Sequence, residues 1–290
     1  MKKILVIAEQ LPDSPSLALD KALYFSDHGG ATIHVLSVVY NNAFDHPELI
    51  TAEEAQTLQD KVMSQAKANL NKLLAGRKNA TGEIQWGKSL VGAVEETCEG
   101  TNYDLIIKTG HRSESFLHQP SDFRLLNLPK VPVMILSAER WRSKPVVMAT
   151  IDFSSDDAEQ MALNDKVLSS AKEYADLMEA DLHCCYVVTY NSALADLDIV
   201  NREEIFERFK EKRLKKLQDY AAGYGIPAQN VDIKPGKIEK VIPSMANRLK
   251  AELVVLGTHR RKGLSRIILG NSSEKILKIL RTDILAVKPD

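Results

Sequence analysis

Short apolar runs alternate with longer amphipathic stretches along the whole chain, an order that predicts alternating strands and helices. Residues 3–8 form an apolar run rich in Ile and Val, which is typical of a strand covered on both faces. A helix is predicted over 15–28, with a proline at its start and a glycine pair after its end. Thr51 and Glu54 have the spacing of a capping box, so a long helix is predicted over 51–74. The other elements predicted in the first half are strands at 32–39, 83–86, 105–109 and 133–137, and helices at 89–99 and 123–128.

The second half repeats this order of elements at a nearly constant offset. Residues 109–112, Thr-Gly-His-Arg, correspond to residues 257–260, Gly-Thr-His-Arg. The pattern marks two copies of one domain, 1–140 and 145–290, each large enough to bury its own core. The elements predicted in the second copy are strands at 146–151, 182–188, 231–234, 253–257 and 284–287, and helices at 158–179, 203–222, 238–250 and 272–280.

Alternating strands and helices imply parallel crossover connections and therefore an α/β fold. Each half is predicted to be a doubly wound, five-stranded parallel sheet of order 3-2-1-4-5 with helices on both faces. Such a sheet binds ligands outside the carboxyl ends of its strands, where the strand order reverses. In the second half this crevice would be lined by Asp152, just past strand one, and by Gly257 and the residues after it.

Composition and charge narrow the class of protein. Of 290 residues, 44% are hydrophobic and 27% are charged, which is a globular mixture. The formal net charge of −1 gives no reason to expect a nucleic acid or an acidic membrane as partner. No apolar run reaches the length of about 18 residues that would predict a membrane span. The 3 cysteines include an adjacent pair and do not form a disulfide framework, so the cytoplasm is the expected compartment.

The segment after the fourth strand of the second half has the chemistry of an anion site. Three glycines permit a tight loop and close backbone approach to a ligand: Gly257, Gly263 and Gly270. Asn271 and Glu274 have the spacing of a helix N-cap and its partner. The amides of Ser272 and Ser273 would then point away from the start of a helix, where the dipole favours an anion. Arg260 and neighbouring cations could add countercharge, but a capped loop without a ligand fits the same residues equally well.

This segment resembles the signature of the universal stress protein family, G-x2-G-x9-G-[S/T], which lies between strand four and helix four. Gly257 and Gly270 match the first and third glycines. Arg260 replaces the second glycine, and Asn271 replaces the Ser or Thr of nucleotide-binding members. The resemblance covers the whole chain as two such domains. It is most like the tandem-domain, E-type subgroup through residues 120–126, 269–272 and 285–290.

The resemblance implies an adenine nucleotide site in the second domain. Asp152 matches the acidic residue that contacts the adenosine part, and Val187 and Val188 fall near the position that packs on adenine. ATP or another adenine nucleotide is therefore the expected cofactor, with Mg²⁺ only as its companion. Arg260 is expected to fill space that the usual glycine leaves open, although as a cation it could instead bind a phosphate. The residues implicated are Asp152, Val187, Val188, Gly257, Arg260, Gly263, Gly270, Asn271, Ser272 and Ser273.

The first half has lost the signature. Its residues at the four signature positions are Thr109, Arg112, Gln119 and Pro120. Pro120 has no amide hydrogen to offer a phosphate, and Glu9 replaces the aspartate of strand one. Any nucleotide is therefore expected to bind the second half only.

The resemblance also implies what the chain does. It predicts a cytoplasmic stress-response protein that acts by binding a ligand or a partner and not by turnover. Two alternatives stay open: a nucleotide sensor with slow ATP hydrolysis in the second domain, and a carrier of an apolar, non-nucleotide ligand. No catalytic residue and no metal site are predicted. The apolar fifth strands, 133–136 and 284–287, need cover, and family members dimerise through this strand, so the two domains are expected to pair there. The resemblance also allows a homodimer.

Two other residue pairs invite a functional interpretation that their patterns do not favour. His34 and His183 have equivalent mid-strand positions and are expected to be core or interface residues. Cys184 and Cys185 lack the CxxC spacing of a redox pair, and neighbours on a strand point to opposite faces, so a small buried pair is expected.

Overall fold

The computed structural model describes residues 1–8, 16–110, 121–126, 128, 131–137, 141–189, 202–258, 276, 280 and 282–289, without the side chains at 121, 123, 202, 203 and 205. The chain divides into two compact units. The first contains Met1–Leu125 and Val133–Ala138, and the second contains Leu126–Pro132 and Glu139–Asp290.

The first unit has a parallel sheet of order β3-β2-β1-β4-β5, which is the predicted order. Its strands are β1 Lys3–Ile7, β2 Thr32–Val39, β3 Ala80–Trp86, β4 Leu105–Thr109 and β5 Val133–Leu136. Its helices are α1 Leu17–Gly29, α2 Ala52–Leu74, α3 Leu90–Glu99 and α4 Ser121–Leu126. Two short 3-10 helices that the sequence did not predict, Asn42–Asp45 and Pro47–Leu49, follow β2.

The second unit repeats this sheet with the order β8-β7-β6-β9-β10, again parallel. Its strands are β6 Val146–Ile151, β7 Asp181–Val188, β8 Val231–Pro235, β9 Leu253–Gly257 and β10 Asp283–Val287. Its described helices are α5 Ala158–Met178, α6 Arg202–Ala222 and α7 Ile238–Leu249, with a 3-10 helix at Ala228–Asn230. The predicted fold class, a doubly wound α/β sheet in each half, is therefore confirmed.

Two helix ends follow the predicted capping chemistry, whereas α1 begins at Leu17 after a Ser16 N-cap, two residues later than predicted. The Thr51 hydroxyl accepts the Glu54 amide at 3.2 Å, and the Glu54 carboxylate accepts the Thr51 amide at 2.8 Å, so α2 begins at the predicted capping box. Gly30 ends α1 with φ 71°, a left-handed conformation that glycine adopts at little cost. β3 begins at Ala80, earlier than predicted, because its ladder with β2 continues through exposed residues that lack an apolar pattern.

The central strands of each unit are buried on both faces, which explains their continuous apolar runs. Residues 4–6 of β1 and 105–107 of β4 are 0% exposed, and so are residues 147–149 of β6 and 253–255 of β9. The sheet order places the carboxyl ends of β6 and β9 side by side. Connections leave neighbouring strands in opposite directions at this point, so a crevice opens there.

The polar connector that follows β5 is attached to the second unit. Trp141 Nε1 donates to Asp283 Oδ2 at 2.8 Å, and Arg142 Nε lies 3.2 Å from the buried carboxylate of Glu252. Side-chain bonds therefore fix this short segment against its own unit. In the part of the chain that the structure describes, no helix is both long enough and apolar enough to cross a membrane.

Candidate functional site

A cavity of about 410 Å³ opens in the second unit where the carboxyl ends of β6 and β9 lie side by side. This is the point at which the strand order reverses and at which doubly wound sheets bind ligands. Asp152 and Gly257, both predicted at this crevice, line the cavity, and so do Val187 and Val188 at the end of β7. The volume lies within the range of about 300–1,000 Å³ that is typical of small-molecule sites.

Apolar side chains form most of the cavity lining. Aliphatic groups come from both flanking helices and from β9, among them Leu163, Val167, Ile238, Ile242 and Leu256. Polar groups are fewer and include the exposed residues Asp152, Ser154 and Thr189. Such a cavity selects ligands mainly by shape and orients them with a small number of hydrogen bonds.

Asn164 fixes the turn that presents Asp152. This asparagine is 1% exposed in α5, and its Nδ2 donates to the Asp152 carbonyl at 2.7 Å. Its Oδ1 accepts the Asp152 amide at 3.2 Å and Gln160 Nε2 at 2.9 Å. The Asp152 carboxylate accepts the Ser154 amide at 2.9 Å. The backbone at the end of β6 is therefore held from within the core, while the carboxylate stays exposed at the cavity.

Gly257 packs closely against α5. A Cβ built at this position would lie 2.9 Å from two side-chain carbons of Leu163. Carbon atoms prefer separations of about 3.5–4.0 Å, so even alanine would force a shift. Leu163 is 3% exposed and occupies the space beside the Gly257 backbone. The sequence suggested that a ligand approaches this glycine closely. In the structure, the side chain of Leu163 also lies close to it.

Helix α6 forms another wall of the cavity through Phe209. One turn later, the guanidinium carbon of Arg213 lies 5.8 Å from the Phe209 ring centre, and Nη1 donates to the Phe153 carbonyl at 3.2 Å. Phe153 follows Asp152 directly. Arg213 therefore ties α6 to the same turn that Asn164 holds from the other side.

The equivalent edge of the first unit has different chemistry. The strand registers place Lys108 in β4 at the position that Leu256 has in β9. Lys108 is 5% exposed, its Nζ lies 2.7 Å from Asp122 Oδ1 in α4, and it donates to the Thr109 carbonyl at 2.8 Å. A buried ion pair thus replaces one of the aliphatic residues that line the cavity of the second unit.

The histidine and cysteine pairs lie in strands, as their patterns predict. His34 Nδ1 is 3.0 Å from Thr81 Oγ1, and burial lowers the pKa of His183. Cys184 and Cys185 are both 1% exposed, and burial raises the pKa of Cys185 to about 12, so it stays a thiol at neutral pH.

Within the described ranges no group of three or more His, Cys, Asp or Glu is placed to hold a metal ion.

The remaining predicted site residues lie outside the described residues. They all belong to the signature segment: Arg260, Gly263, Gly270, Asn271, Ser272 and Ser273. The first-half residues Glu9, Arg112, Gln119 and Pro120 also lie outside.

Sequence reasoning missed Leu163, Asn164 and Tyr186 at the cavity. Asn164 could have been found, because it forms a polar pair one turn from Gln160 within a largely apolar face of α5. No pattern separates Leu163 or Tyr186 from ordinary core residues.

Two doubly wound sheets in tandem, the second with a cavity where its strand order reverses, place the chain in the class of tandem-domain α/β proteins with a ligand-type crevice. The profile of the universal stress protein family matches residues 1–136 and 147–288, so the chain belongs to this family. The resemblance seen in the sequence is thereby confirmed.

Full-length relatives have the same tandem form. Universal stress protein E of Escherichia coli is 26% identical over an alignment of 297 positions, gaps included, which covers 99% of this chain and 93% of the relative. The Universal stress protein E homolog of Haemophilus influenzae is 26% identical over 269 residues, which cover 89% and 86%. A functionally unknown protein from Pseudomonas aeruginosa is similar in structure, with a TM-score of 0.72 and 24% identity, over 100% of this chain and 93% of the other. At that identity the structural similarity concerns the fold alone.

Proposed function

We propose that this protein is a cytoplasmic stress-response protein that binds a small ligand in the cavity of the second unit and does not turn it over. The observation that carries the proposal is the cavity itself, which has an apolar interior at the crevice of the sheet and the exposed carboxylate of Asp152 on a fixed turn beside it. Apolar burial, worth about 25 cal/mol per Å², would provide most of the affinity. Membership of the universal stress protein family supports the stress role.

Filling the cavity tests this function. Val188 lines the cavity at the end of β7, and Val39 has the equivalent position at the end of β2. We expect Val188→Phe to remove the thermal stabilisation that a bound ligand provides, whereas the matched control Val39→Phe keeps it. The measurement is thermal unfolding of the full chain with ATP, AMP and a panel of apolar compounds. Native mass spectrometry of protein purified without added ligand would identify any molecule that co-purifies.

Two results would count against the proposal. If no molecule co-purifies and no compound shifts the unfolding temperature, the protein does not act by binding a small ligand of these classes. If Val39→Phe abolishes the stabilisation and Val188→Phe does not, the site lies in the first unit.

A second candidate function is adenine nucleotide binding in the same cavity. The position of Asp152 and Gly257 along its lining favours this function, and the resemblance assigns both residues to the nucleotide. Leu163 beside Gly257 and the predicted bulk of Arg260 favour weak or absent ATP binding.

Restoring the family signature is expected to strengthen ATP binding. The double change Arg260→Gly and Asn271→Ser should raise the affinity about tenfold, roughly 1.4 kcal/mol, because a bulky side chain gives way to the usual glycine. Isothermal titration of the full chain with ATP and Mg²⁺ measures this, and Arg112→Gly in the first half is the matched control without an expected gain. If the unmodified chain binds ATP with low-micromolar affinity, or if the double variant binds ATP more weakly, Arg260 is a phosphate ligand and the steric explanation is wrong.

We also propose how the two halves associate. Their pairing through the fifth strands, and a homodimer, stay predictions from the sequence.

A further inference from the structure

The cavity of the second unit is lined by a tyrosine whose hydroxyl has no hydrogen-bond partner among the described residues. Tyr186, in β7, lines the cavity and is only 3% exposed. Its hydroxyl makes no hydrogen bond with any residue that the structure describes. Polar groups in folded proteins are nearly always hydrogen-bonded to protein or to water, so this hydroxyl is available to a molecule that enters the cavity.

Two aromatic rings pack against the ring of Tyr186. The Phe153 ring packs edge-on against it, with 6.4 Å between ring centres, and the Phe209 ring lies at the same distance. Phe153 is 1% exposed and belongs to the core, while Phe209 lines the cavity. Because Tyr186 lines the cavity, its hydroxyl can bond a molecule that occupies it.

The charges around this hydroxyl limit what that partner can be. Burial, and next the carboxylate of Asp152, raise the pKa of Tyr186, so the phenol stays protonated and can donate. An anionic ligand group would meet the Asp152 carboxylate, and a pure hydrocarbon would leave the hydroxyl unpaired. Arg213, whose Nη1 donates to the Phe153 carbonyl, lowers this pKa, so the cation and the carboxylate act in opposite directions at the hydroxyl. A neutral acceptor fits this environment best.

We propose that Tyr186 is a ligand-recognition residue, and that the ligand is a mostly apolar molecule which presents one uncharged hydrogen-bond acceptor to the Tyr186 hydroxyl. A hydroxyl or carbonyl oxygen on a ring or chain of suitable size would serve. This inference rests on the proposed ligand function and narrows the class of ligand.

Three probes with the same ring system separate the ligand classes: naphthalene, 2-naphthol and 2-naphthoate. We expect the unmodified full chain to bind 2-naphthol about tenfold more tightly than either of the others, as measured by fluorescence titration. Tyr186→Phe should remove this preference and leave the affinity for naphthalene unchanged, because only the hydroxyl is lost. Tyr224→Phe is the matched control, since the Tyr224 hydroxyl donates to Asp165 at 2.6 Å and Tyr224 does not line the cavity. This control should keep the preference.

Thermal unfolding without any probe separates recognition from a structural role. Tyr186→Phe should not lower the unfolding temperature, because the lost hydroxyl has no partner among the described residues. Tyr224→Phe should lower it, because the bond to Asp165 is lost.

The inference is overturned if the unmodified chain shows no preference for 2-naphthol, or if Tyr186→Phe retains it. If all three probes fail to bind while another compound stabilises the chain in a manner that Val188→Phe abolishes, the ligand function stands and the role of Tyr186 is refuted. If nothing binds in either experiment, both proposals fail.

Discussion

Replacing Asp122 with alanine is expected to lower the free energy of unfolding of the first unit by about 3 kcal/mol or more. Asp122 lies 2.7 Å from Nζ of Lys108, whose side chain is 7% exposed. The variant leaves the ammonium buried without this carboxylate, and removing one partner of a buried ion pair is costly. Urea unfolding in a Trp141→Phe background would measure the effect, because fluorescence then reports only Trp86 in the first unit.

Two control variants test the cause of this effect. The double change Lys108→Leu and Asp122→Leu should restore most of the stability, because it removes both charges and matches Leu256 of the second unit. Asp219→Ala, which breaks the exposed pair between Lys215 and Asp219 at 2.7 Å, should cost less than about 1 kcal/mol. If Asp122→Ala were as mild as Asp219→Ala, the ion pair would contribute little to the stability of the first unit.

Asn164→Leu is expected to destabilise the second unit by about 3 kcal/mol, since it removes three hydrogen bonds from the core. Two of these bonds hold the amide and the carbonyl of Asp152, and the third comes from Gln160. Leucine has a similar volume, so the loss would come from unsatisfied polar groups and not from a cavity. Urea unfolding in a Trp86→Phe background reports this unit through Trp141, which is bonded to Asp283.

The controls for this prediction remove fewer bonds. Gln160→Leu loses the single bond to Asn164, and Gln218→Leu loses one exposed bond to the Ala228 carbonyl at 3.0 Å. Each should cost about 1 kcal/mol or less. A cost for Asn164→Leu no greater than that for Gln218→Leu would mean that the turn at Asp152 is held by other contacts.

Local chemistry made much of the fold predictable. The capping box at Thr51 and the glycine after α1 act within a few residues of the chain, so the helix ends that they define can be predicted from the sequence. The start of β3 could not be predicted, because it depends on a ladder with β2, whose residues are distant in sequence.

The residues of the candidate site also fall into two groups, those that the sequence predicts and those that it does not. Asp152 and Gly257 were predictable, because they follow the two strands whose carboxyl ends meet in a sheet of this order. Leu163 and Tyr186 were not, because their roles depend on which side chains pack against them. A contact between α5 and β9 leaves no periodic pattern in either segment.

By itself, the sequence determined that the chain contains two related α/β domains and that the second keeps more of the family signature. It could do so because hydrophobic periodicity and internal repetition are properties of the chain alone. Only the tertiary structure decided that the second unit keeps an apolar cavity, that Leu163 occupies the space beside Gly257, and that a buried ion pair lies at the equivalent edge of the first unit. These features depend on the side chains that distant segments bring together, because close packing depends on which residues are neighbours in space and not on which are neighbours in sequence.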